Sequence, residues 1–207
     1  MTNILQSKYK SSRRLGTSLW GSDKDAFNKR NYPPGQHGRS SVIRHSTSDF
    51  REHLLAVQLV RLHYGRVNAR QFKNIFLKAK KIKGNVAENF AGLLERRLDV
   101  VVYRVNFAPT IFAARQLVSH GHILLNDKKI DISSIILKEN DVITLKSKSR
   151  NLEIYKNTFS SQERKLPNYL EINENDFSGK FIKIPSIDEI PYPFVPDFSK
   201  IVEYYSR

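Results

Sequence analysis

Cysteine is absent from this chain of 207 residues, and methionine and tryptophan occur once each. Without cysteine, the chain cannot form disulfide bonds, thiolate nucleophiles or zinc sites of the cysteine type. No apolar run approaches the roughly 18 residues that a membrane-spanning helix needs, and no targeting signal is evident near the N-terminus. These absences predict a protein without a membrane partner, a disulfide bond or bound zinc.

Acidic residues are scarce. The chain has 35 Lys and Arg against 20 Asp and Glu, which gives a net charge of +15 and a pI near 10.0. The excess lies in residues 1–150, which contain 28 basic and 11 acidic residues, whereas residues 151–207 contain 7 and 9. A chain with this imbalance binds polyanions, and nucleic acid is the first candidate.

Motifs that would indicate an enzyme are also missing. The sequence contains no GxxxxGK[ST], GxGxxG, GxSxG or HExxH, so phosphate-loop, dinucleotide, serine-hydrolase and zinc-protease chemistry have no basis. Glu95 and Asp99 lie one helical turn apart, but Arg96 and Arg97 stand between them, which favours surface ion pairs over acid-base catalysis. The pair His120 and His122 lacks a carboxylate to complete a metal site. The sequence therefore predicts no enzyme activity, no cofactor and no metal.

Residues 1–45 combine glycine and proline with little apolar periodicity, which predicts an extended basic arm. Its residues 31–38 form a stiff turn in which aromatic rings could stack on bases while nearby cations meet phosphates. A surface loop with a few charges is the alternative for this stretch. The candidate RNA contacts of the arm are Lys8, Lys10, Arg13, Arg14, Lys29, Arg30, Tyr32, Gln36 and His37.

Apolar spacing predicts four helices after the arm. The first runs over 48–63 and the second over 68–83, where five lysines form either a binding face or a solvated one. The third begins at the capping box of Asn85 and Glu88 and continues to Val105. The fourth is short and runs from Thr110 to Gly121.

Extended segments follow the fourth helix. Strands are predicted at 123–125, 141–145, 152–155, 169–172 and 181–184, with a tight turn at 126–128 and a final segment, 198–205, that packs back. The fold class is therefore α+β, with an extended basic N-terminal arm, a helical domain, and an RNA-binding module of two short helices plus a small antiparallel sheet. The predicted domains are the arm at 1–45, the helical domain at 46–92 rejoined by 190–207, and an inserted domain at 93–189 whose module covers about 96–155.

The module carries the clearest binding pattern. Its short helix turns Ala114, Leu117 and Val118 inward, so the polar residues between them face outward, and lysines follow at the hairpin and the next strand. Such a basic rim fits the shallow minor groove and backbone of folded RNA. The alternatives to RNA contacts are internal salt bridges for Arg96 and Arg97 and packing within the protein for His122. The candidates are Arg96, Arg97, Arg115, Gln116, His120, His122, Lys128, Lys129, Lys146, Lys148 and Arg150.

Several segments resemble one known family, the small-subunit ribosomal proteins conventionally numbered four. Residues 92–104 and 112–122 are similar to the two RNA-binding helices of that family. The two terminal signatures of the family are similar to segments of the arm, at 13–16, 20–21 and 28–38, and to the ending at 203–207. The module alone also occurs in pseudouridine synthases and a tyrosyl-tRNA synthetase, so the arm and the ending select the ribosomal protein.

This resemblance implies a structural constituent of the small ribosomal subunit that binds small-subunit rRNA directly at a multi-helix junction and nucleates subunit assembly. It also implies a position beside the path by which mRNA enters the ribosome, next to a neighbouring ribosomal protein that tunes translational accuracy, with mRNA itself as a further partner. A standalone ribosome-associated RNA-binding factor is the alternative function.

The sequence departs from the family pattern at three places. The arm has none of the zinc-binding cysteines found in some members, and the hairpin carries Asn126-Asp127 in place of Asn-Gly. Residues 40–46 contain a single arginine, Arg44, where the family has a stretch rich in lysine and arginine. Because aspartate tolerates a left-handed backbone less well than glycine, a looser turn is expected. The lost charges, with abundant Lys, Asn and Ile, predict a mitochondrial matrix or a reduced bacterial genome, with the mitochondrion modestly favoured over the bacterial cytoplasm.

Overall fold

The computed structural model describes residues 7–41, 48–150, 164–173 and 175–206, and its fold is α+β as predicted. The chain forms two compact units, the first from residues 1–74 and 192–207 and the second from residues 75–191. The boundary lies inside a helix, earlier than the predicted boundary at residue 92. One physical reason is that Phe76 packs edge-on against Phe90, with ring centroids 5.6 Å apart.

The helices are α1 (Lys10–Leu15), α2 (Ala26–Lys29), α3 (Gly38–Ser41), α4 (Asp49–His63), α5 (Ala69–Lys81), α6 (Val86–Glu95), α7 (Leu98–Arg104), α8 (Ile111–Ser119) and α9 (Phe198–Ser206). The strands are β1 (Ile123–Leu125), β2 (Lys128–Lys129), β3 (Val142–Leu145), β4 (Leu170–Asn173) and β5 (Ser178–Phe181). They form one antiparallel sheet in the order β2-β1-β3-β5-β4. None of the described helices has the length and apolar character of a membrane span.

The described part of the arm is not extended throughout, which corrects the prediction. It contains α1, α2 and α3, and it is anchored to α4 by two reciprocal bonds. The Trp20 indole donates to the carbonyl of His63 at 3.0 Å, and the His63 ring donates through Nδ1 to the carbonyl of Leu19 at 2.6 Å. Leu19 is fully buried, so the few apolar residues of the arm are enough to fix it within the first unit.

The C-terminal helix α9 packs against α4, as the predicted return of the chain requires. The rings of Phe50 and Tyr204 lie 6.0 Å apart, and Lys200 pairs with Glu52 at 3.0 Å. Before α9, an aromatic cluster joins residues from both ends of the first unit, including a bond of 2.5 Å between the Tyr64 and Tyr192 hydroxyls.

The predicted third helix is wrong in one respect, because it is interrupted between α6 and α7. Arg97 takes an extended conformation, with φ −67° and ψ 137°, and forms a β-bridge with Ile136. The adjacent backbone continues this pairing, since the Leu98 amide donates to the Ile135 carbonyl at 2.8 Å. Pairing with a distant segment thus replaces the helical hydrogen bonds that local periodicity predicts.

The hairpin of β1 and β2 confirms the predicted tight turn. Asn126 and Asp127 have φ values of 47° and 63°, and a two-residue turn of type I′ requires positive φ at both positions. The Asn126 side chain accepts from the Val142 amide at 3.0 Å and donates to Asp141 at 2.9 Å, which ties the turn to β3. These hydrogen bonds to β3 and to the residue before it therefore stabilise the turn, although its second position is aspartate and not glycine.

The remaining strands agree with the predictions to different degrees. The strand predicted at 169–172 is β4, and the one at 141–145 is β3. The last strand, β5, ends at Phe181, earlier in the chain than predicted, because its register is set by pairing with both β3 and β4. The strand predicted at 152–155 lies outside the described residues.

Candidate nucleic-acid interface

Helix α8 carries several of the predicted RNA contacts of the second unit. Thr110 caps the helix by accepting a hydrogen bond from the Ala113 amide at 3.1 Å. Its inner positions, Leu117 among them, are buried as the periodicity predicts, whereas Gln116 and His120 are exposed one turn apart. The helix therefore presents an amide and an imidazole on one side.

The turn after α8 brings a cation of the hairpin beside this surface. Gly121 has φ +69°, and a Cβ added there would lie 2.5 Å from Cε of Lys129. The Lys129 side chain therefore crosses directly over the turn, in space that only glycine leaves open. This contact joins β2 to the end of α8 and places an ammonium group beside Gly121.

His122 connects the same turn to the end of β3. Its Nδ1 bonds to the Ser149 hydroxyl at 2.8 Å, its ring centroid lies 6.0 Å from that of His120, and its carbonyl accepts from the Lys146 amide at 2.9 Å. Partial burial lowers the pKa of His122, and the nearby His120 and Lys146 lower it further. His122 therefore links the residues on either side of it while remaining largely neutral near pH 7.

We call the predicted contacts around this turn, together with their neighbours in sequence, the module patch. Lys128 is exposed beside it at the tip of the hairpin, whereas Arg150 donates to the carbonyl of Asp176 at 3.2 Å and lies over the Phe177 ring. The module patch consists of Gln116, His120, His122, Lys129, Lys146 and Lys148.

Asp99 forms a buried ion cluster beneath α8. Its carboxylate accepts from Arg97 at 2.8 and 3.0 Å and from Arg115 at 2.9 and 3.0 Å. Asp99 and Arg97 are buried, so the predicted surface ion pairing is wrong for this carboxylate, and Arg97 is too enclosed to reach a phosphate. The internal salt bridge is thus the correct alternative for Arg97. Arg115, whose side chain is 20% exposed, stays a predicted RNA contact.

Glu95 forms a second buried cluster, so surface pairing is wrong there too. It accepts from Arg104 at 2.8 and 3.1 Å and from the Tyr169 hydroxyl at 2.8 Å. These partners satisfy its charge inside the second unit, which gives the carboxylate a structural role. Arg96 is half-buried and donates through Nε to the Leu137 carbonyl at 2.7 Å. Leu137 follows Ile136, the bridge partner of Arg97, so the same segment holds the Arg96 guanidinium.

In the first unit, Arg13 fixes the predicted stiff turn. Its guanidinium donates to the carbonyls of Tyr32 and Pro33 at 3.1 and 3.2 Å and lies 4.9 Å from the Tyr32 ring. Arg39 lies 5.2 Å from the same ring. A hydrogen bond from Arg39 lowers the pKa of Tyr32, and the charges of Arg39, Arg30 and Arg13 lower it further. Arg13 therefore stabilises the turn, and the Tyr32 ring already contacts two guanidinium groups.

The other arm candidates are distributed over the surface of the first unit. Lys8 lies 4.9 Å from the Tyr9 ring and 5.2 Å from the Trp20 ring. Among the described residues, no three His, Asp or Glu side chains are grouped as a metal site would need. The exposed candidates are Lys10, Arg14, Lys29, Arg30, Gln36 and His37.

Sequence reasoning missed the role of Asp99, although a signal was present. Arg115 is the only charged residue of helix α8, and a partly buried arginine requires an acid. The bond from His122 to Ser149 had no such signal, because the two residues are brought together only by the sheet.

Comparison with known proteins agrees with this geometry. Residues 3–95 match the family described as ribosomal protein S4/S9 N-terminal domain, and residues 96–143 match the S4 domain. The chain is 55% identical to the small ribosomal subunit protein uS4 of Rickettsia felis and to that of Rickettsia canadensis, and 54% identical to that of Rickettsia bellii. Each comparison covers 207 residues and 100% of both chains. The chain belongs to the uS4 family of small ribosomal subunit proteins.

Proposed function

We propose that this chain is a structural constituent of the small ribosomal subunit that binds small-subunit rRNA directly and has no catalytic activity. The module patch is the observation that supports direct binding. Within the described residues, its cations Lys129, Lys146 and Lys148, and the neighbouring Lys128, form no ion pair with the protein. Unpaired lysines on one rim favour contacts to phosphates and 2′-hydroxyls, which is how proteins recognise folded RNA.

We also propose the finer roles that the family resemblance implies. The chain nucleates assembly at a multi-helix junction of the rRNA, lies beside the path of the incoming mRNA, and tunes accuracy together with a neighbouring ribosomal protein. The agreement with uS4 proteins over the whole chain supports these roles, because both the arm and the C-terminal helix are included.

The proposed location is the small ribosomal subunit in the bacterial cytoplasm. The relatives named above are bacterial, which favours that compartment over the mitochondrial matrix suggested by composition. A ribosome-associated factor that binds only under some conditions is a weaker proposal, since full-length similarity to a ribosomal protein argues against it.

Co-sedimentation tests the proposal. The tagged chain should remain with small subunits, at one copy for each, through a salt wash that removes loosely bound factors. Recovery of the chain mainly in the soluble fraction would contradict it, and substoichiometric binding that changes with growth conditions would favour the standalone factor.

A further inference from the structure

His122 is held in place where the turn after α8 meets the end of β3. Its amide donates to the Leu117 carbonyl at 3.1 Å, and its own carbonyl accepts from the Lys146 amide at 2.9 Å. Its Nδ1 bonds to the hydroxyl of Ser149 at 2.8 Å, and Ser149 is itself buried. Backbone and side-chain contacts therefore fix the half-buried imidazole in the free chain.

The other ring nitrogen of His122 makes no such bond. Within the part of the chain that the structure describes, its Nε2 has no hydrogen-bond partner. A hydroxyl can both donate and accept a hydrogen bond, and a charged imidazole donates from both of its nitrogens. The bond to Ser149 can therefore persist when the ring gains a proton, and the charged ring presents an Nε2 hydrogen to an acceptor from outside.

The charges that act on His122 are positive. Partial burial lowers its pKa, and the neighbouring His120 and Lys146 lower it further, whereas no carboxylate of the described residues acts on it. Lys129 crosses the turn just before it, and Lys148 lies in the same short turn as its hydroxyl partner. None of these lysines forms an ion pair with a described residue. The free chain therefore disfavours a proton on His122.

On the basis of the proposed function, we propose that the module patch binds an rRNA phosphate together with a proton, and that His122 is the residue that takes up this proton. A phosphate among these cations supplies the missing negative charge, which favours the charged imidazole. The Nε2 hydrogen of that imidazole then donates a charge-assisted hydrogen bond to a phosphate oxygen. Because linkage is reciprocal, protonation of His122 strengthens rRNA binding by as much as rRNA binding favours protonation.

The pH dependence of rRNA affinity at constant salt tests this proposal in full-length chains. Between about pH 8 and 5.5, the affinity of the wild-type chain should rise by up to about tenfold for each unit of fall in pH, which is the limit for one linked proton. Other histidines and the rRNA itself also titrate, so the comparison with His122→Gln isolates the contribution of this residue. His122→Gln should lose that contribution, because glutamine cannot take up a proton.

His120→Gln is the matched control, because it removes the neighbouring imidazole of the module patch and leaves His122 in place. This variant should retain most of the pH dependence that His122→Gln loses. Equal pH dependence in the wild-type chain and in His122→Gln would overturn the proposal. Loss of the dependence in His120→Gln alone would also overturn it, because the proton would then belong to His120.

Calorimetry counts the protons without relying on affinity. Titration of rRNA with the wild-type chain near pH 7, in Pipes and in Tris buffer, should give different heats, because protons taken up from the two buffers carry different enthalpies of ionisation. The difference should be smaller for His122→Gln. Binding of the wild-type chain without proton uptake, or equal uptake by the variant, would overturn this inference alone. Failure of the wild-type chain to bind rRNA at every pH would instead overturn the proposed function.

Discussion

Replacement of Asp99 by asparagine is expected to destabilise the second unit by about 3–5 kcal/mol. Because asparagine has nearly the same shape as aspartate, the loss of stability reflects the missing negative charge of Asp99. Arginine stays charged in proteins, and the buried Arg97 would then lack an anion within the cluster. Asp99→Asn therefore removes one partner from a buried ion pair and leaves the other charge uncompensated, which strongly lowers the free energy of unfolding.

The magnitude follows from the geometry of the cluster. Arg97 makes two bonds to Asp99, at 2.8 and 3.0 Å, and each bond to a charged group contributes roughly 1.5–3 kcal/mol. Arg115 is partly exposed, so solvent screening makes its contribution to the stability of the cluster smaller. Arg97 alone thus accounts for most of the expected loss in the free energy of unfolding.

Urea denaturation combined with amide hydrogen exchange in α7 and α8 measures this change. The control is Glu139→Gln, an exposed substitution expected to stay within about 0.5 kcal/mol of the wild type. The double variant Arg97→Met with Asp99→Asn should lose less than Asp99→Asn alone, because no unpaired Arg97 remains. A cost below about 1 kcal/mol for Asp99→Asn, with an unchanged urea dependence, would refute the role assigned to the cluster.

Three further outcomes are expected. Because the folded-state pKa of His122 lies below its ordinary value of 6.5, the unfolded chain binds more protons. Its stabilising share is therefore full above pH 6.5 and is lost as the pH falls from there through the lower pKa of the folded state. His122→Gln should therefore flatten the decline in stability as the pH falls below 6.5, and identical pH profiles would contradict this assignment. Asp127→Gly should raise stability in thermal unfolding by about 0.5–1 kcal/mol, because φ is 63° at this position; a loss would mean that aspartate makes an unrecognised contact. Gly38→Ala would place a Cβ 2.0 Å from the Pro33 carbonyl oxygen and should cost about 1–3 kcal/mol, measured by Trp20 fluorescence; an unchanged midpoint would show that the turn adapts.

Local sequence information was enough for the elements that local chemistry determines. Thr110 caps α8 as its hydroxyl predicts, and Asn126-Asp127 forms the expected two-residue turn. The three inward positions of α8 followed from helical periodicity alone. In each case, the signal and the structure lie within a few residues of each other.

The predictions failed where distant segments compete with local preference. The interruption at Arg97 depends on pairing with Ile136, and nothing near Arg97 indicates that partner. In the same way, Glu95 and Asp99 were predicted to lie on the surface of one continuous helix. They belong instead to two helices, α6 and α7, and both carboxylates are buried. The arm was predicted as extended because its anchor, His63, lies more than forty positions along the chain from Leu19.

Hydroxyl-radical footprinting of small-subunit rRNA with the purified chain tests the central claim most directly. The wild-type chain should protect a defined set of nucleotides, and the variant Lys129→Gln with Lys146→Gln should lose part of that set while the remainder stays protected. Absence of protection by the wild-type chain, or an identical footprint for the variant, would contradict direct rRNA binding through the module patch.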